Sequence, residues 1–161
     1  MIALPLALTY LMQFTYTVSL VGSIVLFVLI VVFSWLFSIG KWANQHLPEN
    51  QQKNLALFTL SFVIPIVYVV MLILVYFPTL NPDSIPQPPS WMFPLHILSL
   101  AGIFYGIWFS AGQFMALLKV QKVNFLIFSS AFFLMFIFPL GIWIIQPIVN
   151  RLFYKLDHSE T

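Results

Sequence analysis

Residues 16–39 contain no Asp, Glu, Lys, Arg or His, and residues 24–33 are Ile, Val, Leu and Phe alone. About 20 consecutive apolar residues carry a helix across the hydrocarbon of a bilayer, and a helix satisfies its own backbone polar groups on the way. Comparable apolar runs recur at about residues 55–77, 95–118 and 124–145. In water, a chain built from such runs would expose large apolar patches and aggregate. The expected fold is therefore all-α: an integral membrane four-helix bundle, one transmembrane domain over residues 1–161 with spans at about 16–39, 55–77, 95–118 and 124–145. Composition agrees, with 61% hydrophobic and 6% charged residues where a soluble domain carries roughly a quarter charged.

The breaks between runs are polar or proline-rich. Residues 1–15 are apolar but interrupted by Pro5, Thr9 and Gln13, and are too short to span alone. They are expected to lie at the interface or to add turns to the first helix. They lack a basic leader region, so the first run is expected to be retained, not cleaved. Residues 40–54, GKWANQHLPENQQKN, form the first polar break. Pro65 should kink the second span by removing an intrahelical bond. Residues 78–94 hold Pro78, Pro82, Pro86, Pro88, Pro89 and Pro94, a density that favours a stiff extended connector. A short turn at 119–123 makes spans three and four a hairpin. Pro139 and Gly141 should bend the fourth span, and Gln146-Pro147 should end it. The remainder, about 148–156, carries Arg151 and Lys155 and suits a short interfacial helix with snorkelling cations.

The basic residues set an orientation. Lys41 and Lys53 lie in the first loop and Lys119 and Lys122 in the third, whereas the proline-rich loop has none. The lysine loops are expected on the cytoplasmic side and the proline-rich loop outside. Four spans then put both termini outside, against the pull of Arg151 and Lys155. Scattered basic residues of this kind give no clustered stripe for nucleic acid, so no nucleic-acid partner is expected. The chain has no Cys, which removes disulfides and thiolate-ligated metals.

The third span carries the densest pattern. At roughly 100° per residue, Ser99, Gly102, Gly106, Ser110 and Gln113 fall within an arc of roughly 80°. Such a row of small residues lets another helix approach closely. The reading is a helix-packing seam within the bundle, with a seam between protomers or a substrate path as alternatives. Gln113 is costly in lipid and should face protein. His96, at the end of this span, suits an interfacial polar anchor. A bis-His haem would need a second His at similar depth, and His46 and His158 lie in a loop and in the tail.

No catalytic arrangement emerges. Glu49, Asp83, Asp157 and Glu160 all fall outside the spans, so no intramembrane carboxylate is available to relay protons. The Ser129-Ser130 pair has no base nearby in sequence, and helix hydroxyls usually bond their own backbone. Trp35, Trp42, Trp91 and Trp143 lie near span ends, where aromatic rings favour the headgroup layer.

The segment FPLGIWIIQPIVN, with Phe138, Pro139, Gly141, Trp143, Gln146, Pro147 and Asn150, resembles a C-terminal FPxGxWxxQPxxN pattern. That pattern belongs to uncharacterised small four-helix bacterial membrane proteins. The basic residue that usually follows Gln-Pro in that group is Ile148 here. The resemblance covers the C-terminal half and implies a bacterial inner-membrane location, without implying an activity. Gln146 and Asn150 are one helical turn apart and could share a face. They either cap the helix end or, with Arg151, form a docking point for a partner or a lipid headgroup.

The expectation is a non-enzymatic multi-pass protein without a cofactor that acts by association, as subunit, scaffold or accessory factor. Its partners would be the bilayer and a second copy or another membrane protein. An oligomeric channel or small-solute transporter is the alternative, with an intramembrane enzyme or haem protein behind it.

Overall fold

The computed structural model describes residues 3–80, 87–118 and 125–157. All regular structure among the described residues is helical. Helix α1 spans Ala3–Gln45, α2 Leu55–Met71, α3 Met92–Leu117, α4 Phe125–Phe136 and α5 Phe138–Asp157. Among the described residues, three segments are long and apolar enough to cross a membrane: Tyr16–Gln45, Leu55–Thr79 and Met92–Leu117. Their outward apolar side chains fit that solvent. Leu20, Ile24, Phe27, Val28 and Val31 of α1 are all exposed, which water would penalise and lipid does not.

Several boundaries differ from the sequence expectation. The segment before the first run is helical and continuous with it, since α1 starts at Ala3. Pro5 is tolerated there because the first turn has no partner for its missing N–H. At 43 residues, α1 is about 65 Å long, roughly twice one hydrocarbon crossing. It also runs past Gly40, where the sequence suggests a break. A Cβ at Gly40 would lie 2.6 Å from Phe58 Cζ and 2.7 Å from Ser110 Oγ. Glycine is therefore present for close packing and does not terminate the helix.

Asn44 shapes the connector after α1. Its side chain is buried; it accepts from the Lys53 N–H at 2.8 Å and donates to the Lys53 carbonyl at 3.1 Å. One amide side chain thus copies a backbone pairing across the connector, which holds a 3-10 turn at Glu49–Gln51. Helix α2 contains Pro65 and continues as a π turn, Leu72–Tyr76, and a 3-10 turn, Phe77–Thr79. Helix α3 starts at Met92, earlier than the proline density suggests, because Pro94 falls in its first turn.

The fourth apolar run is two helices. Ile137 separates α4 from α5; the Leu140 and Gly141 N–H groups both donate to its carbonyl at 3.0 Å. Pro139 has no N–H to continue the ladder, so the expected bend appears as a break. Helix α5 does not stop at Gln146-Pro147 as expected. It runs through Pro147 to Asp157, so residues 148–156 continue it and are not a separate helix. Pro147 offers no N–H to the Trp143 carbonyl, and the Gln146 side chain beside it bonds Trp35 and Asn150. The 119–123 turn, residues 81–86 of the proline-rich loop and the last residues, 158–161, lie outside the described residues.

Contacts gather into two units: Met1–Val31 with Leu60–Ile103, and Val32–Thr59 with Phe104–Thr161. In the first, Phe62, Tyr68, Ser61 and Ser99 are buried. Gly22 meets Ile73 and Phe77 side chains, and a Cβ at Gly102 would sit 2.8 Å from the Ser61 carbonyl oxygen. In the second, Phe58 stacks on Phe37 at 5.3 Å and on Phe109 at 4.2 Å. Leu36, Ile39, Ala43, Phe114, Met135, Ile145 and Val149 complete that core. Offset aromatic pairs of this kind stabilise by about 0.5–1.5 kcal/mol beyond area burial.

Candidate functional site

Ser34, Ser38 and Trp42 recur every four residues on α1 and so lie along one face. With Trp35 and Ile39 they form one wall of a cavity of about 330 Å³ in the second unit, and Gln146, Val149 and Asn150 of α5 form the other. A chain of hydrogen bonds crosses it. Trp35 Nε1–H donates to Gln146 Oε1 at 2.9 Å, and Gln146 Nε2–H donates to Asn150 Oδ1 at 3.1 Å. The indole can only donate, so it fixes which end of the Gln146 amide faces it. That choice dictates the next. Gln146 turns its NH2 to Asn150, which turns its oxygen inward and keeps its own NH2 as donor. Gly141, one helical turn and more before Gln146, lets α5 start close to α4: a Cβ there would collide with the Leu134 carbonyl oxygen. Trp35 also packs edge-on against Phe138 at 5.5 Å.

Asn150 is shared with a second cavity, of about 510 Å³, bounded by Leu118, Ile148, Arg151, Leu152 and Tyr154. Arg151 is exposed. The three C-terminal positions singled out in the sequence thus adjoin one another on α5. The indole that orients Gln146 and Asn150 is marked in the sequence only as one of the span-end tryptophans. The one signal that could have set it apart is the four-residue serine spacing around it.

The α3 residues divide between the two units. Ser99 is buried and its Oγ donates to the Leu95 carbonyl at 2.7 Å, and Gly102 faces the Ser61 carbonyl. In the second unit Gly106 is buried, and Ser110 Oγ lies 2.9 Å from the Gly106 carbonyl and 3.0 Å from the Leu36 carbonyl. Gln113 is 2% exposed. These hydroxyls are engaged by backbone carbonyls, which is the chemistry of packed helices.

His96 is exposed and lies edge-on to Tyr68, ring centroids 5.7 Å apart. Both border a cavity of about 440 Å³ in the first unit, with Pro88, Pro89, Ser90, Met92 and Phe93. Among the described residues, no three His, Asp, Glu or Cys side chains gather as a metal site would require. Of the four span-end tryptophans, Trp143 is 82% exposed, whereas Trp42 is half-buried in the α1–α5 cavity wall. The Lys53 ammonium lies over the Trp108 ring at 5.1 Å, so this loop lysine is held against α3 by a cation–π contact.

No family model, characterised protein or solved structure matches the chain.

Proposed function

We propose that this chain is a non-enzymatic multi-pass membrane protein that acts by association, as a subunit, scaffold or accessory factor, and that its docking point is the α1–α5 groove. The observation that carries the reading is the Trp35–Gln146–Asn150 relay along the groove wall. A polar chain inside an apolar protein costs free energy unless it is satisfied. This one is satisfied at its inner end and presents a donor at its outer end. An amide donor beside Ser34 and Ser38 suits a polar group on a neighbouring membrane helix, where such bonds contribute about 0.6 kcal/mol on average and up to ~2.

The reading includes a fourth crossing made by α4 and the start of α5. Alone, the 12 residues of α4 reach about 18 Å, short of the roughly 30 Å required, and residues 138–145 supply the remainder. It includes a bacterial inner-membrane location, supported by the resemblance of the FPLGIWIIQPIVN segment. It places the two lysine-bearing loops on the cytoplasmic side.

The native chain has no Cys, so Ser38→Cys introduces one reactive site in the groove. A photoreactive thiol label there, in native membranes, is expected to give one dominant cross-linked species, lost on Gln146→Leu. A species of twice the chain's mass would identify a second copy as the partner. A smear no different from that at Ile97→Cys would contradict the proposal.

A further inference from the structure

We infer that the cavity bounded by Asn150 and Arg151 binds the phosphate of an anionic phospholipid, with an acyl chain against its apolar wall. The inference rests on the membrane placement proposed above and not on the association.

Trp35 sets the direction of the relay, because its indole can only donate. Asn150 therefore ends the relay with Oδ1 occupied and its NH2 available. Next along α5 is Arg151, whose guanidinium carries five N–H donors in a planar fork suited to phosphate. Both border the same cavity of about 510 Å³. Among the described residues that border it there is no carboxylate. Two residues that carry donors, one permanently cationic, therefore border a space with no carboxylate among its described lining residues.

The remaining wall decides which anion. Leu118, Ile148 and Leu152 are apolar, and a free phosphate would gain nothing from them. A phospholipid supplies both halves, a negative headgroup for Asn150 and Arg151 and a hydrocarbon tail for the leucines and Ile148. A zwitterionic lipid shares the tail, but its cationic group opposes Arg151. The site should therefore prefer phosphatidylglycerol to phosphatidylcholine.

The test uses the full chain in mild detergent, with native mass spectrometry reading retained lipid. Dioleoyl-phosphatidylglycerol is expected to be retained over dioleoyl-phosphatidylcholine. Arg151→Gln should reduce that preference about tenfold or more, the effect of losing a charged hydrogen bond. Arg151→Lys should keep most of it, and Lys41→Gln, which borders neither α5 cavity, should keep all of it. Trp35→Phe releases the relay and should lower the preference by less than Arg151→Gln does. An unchanged preference in Arg151→Gln would overturn the inference, as would inorganic phosphate competing as strongly as the lipid. An unchanged preference in Trp35→Phe would overturn the orienting role of the indole. Alkaline extraction of the same membranes separates the two readings. Protein released by alkali contradicts the membrane placement, whereas protein retained without lipid preference contradicts the lipid site alone.

Discussion

A methyl group at Gly102 would meet the carbonyl oxygen of Ser61 at 2.8 Å, and a backbone atom inside a helix cannot swing aside. At Gly22 the nearest atoms are Phe77 Cε2 and Ile73 Cγ1, at 2.8 and 2.9 Å, both in side chains, which can shift more readily than backbone. The same substitution should therefore have unequal effects. Gly102→Ala is expected to destabilise by about 1–3 kcal/mol, as overpacking usually does, and Gly22→Ala by clearly less. Thermal unfolding in detergent would show it, with Ile97→Leu as an exposed control that leaves the midpoint unchanged. Equal losses at the two glycines would contradict a close α2–α3 contact at Ser61. The small-residue row on α3 was visible in the sequence because helical periodicity alone puts those positions on one face. Which neighbour each residue meets was not visible, because Ser61, Leu36 and Phe58 carry no pattern that pairs them with Gly102, Ser110 or Gly40.

At the scale of elements, the connector after α1 depends on one side chain. Asn44→Ala removes both bonds to Lys53 and leaves that backbone N–H and carbonyl to find water. The expected cost is about 1–3 kcal/mol, read as faster proteolysis within residues 46–54. Asn44→Asp keeps the acceptor but not the donor and should fall between. Helix α5 offers the complementary case. Pro147→Ala restores an N–H for the Trp143 carbonyl and should raise the thermal midpoint; no change or a fall would show that Pro147 holds a shape the helix needs. Three of the four expected spans were legible because their uncharged apolar runs are long and their ends polar. Element ends were less so. Gly40 and Gln146-Pro147 look like stops, yet tertiary contacts at Phe58, Ser110 and Trp35 carry the helices through them. Single-residue breaker signals are weak where packing or a side-chain bond outweighs them. The break at Ile137 was approximately legible, because Pro139 lacks an N–H and so interrupts the hydrogen-bond ladder in covalent terms that no packing restores. For the proposed docking site, the one-turn spacing of Gln146 and Asn150 could be read directly. The orienting Trp35 could not, since it lies on another helix and looks like an interface residue.

For the molecule as a whole, a four-span topology puts both ends of the chain on one side of the membrane. Among the described residues three helices meet the length and hydropathy needed, and the proposal adds a fourth made from α4 and the start of α5. In the proposed orientation, charge placement assigns residue 51 to the cytoplasmic side, and residues 84 and 159 together to the other. The most direct measurement is labelling of single-Cys variants with a membrane-impermeant thiol reagent in intact cells. Ser84→Cys and Ser159→Cys should label, and Gln51→Cys should label only after permeabilisation. Labelling of Ser84→Cys without Ser159→Cys would show that α4 and α5 do not complete a crossing, and would contradict the four-span topology.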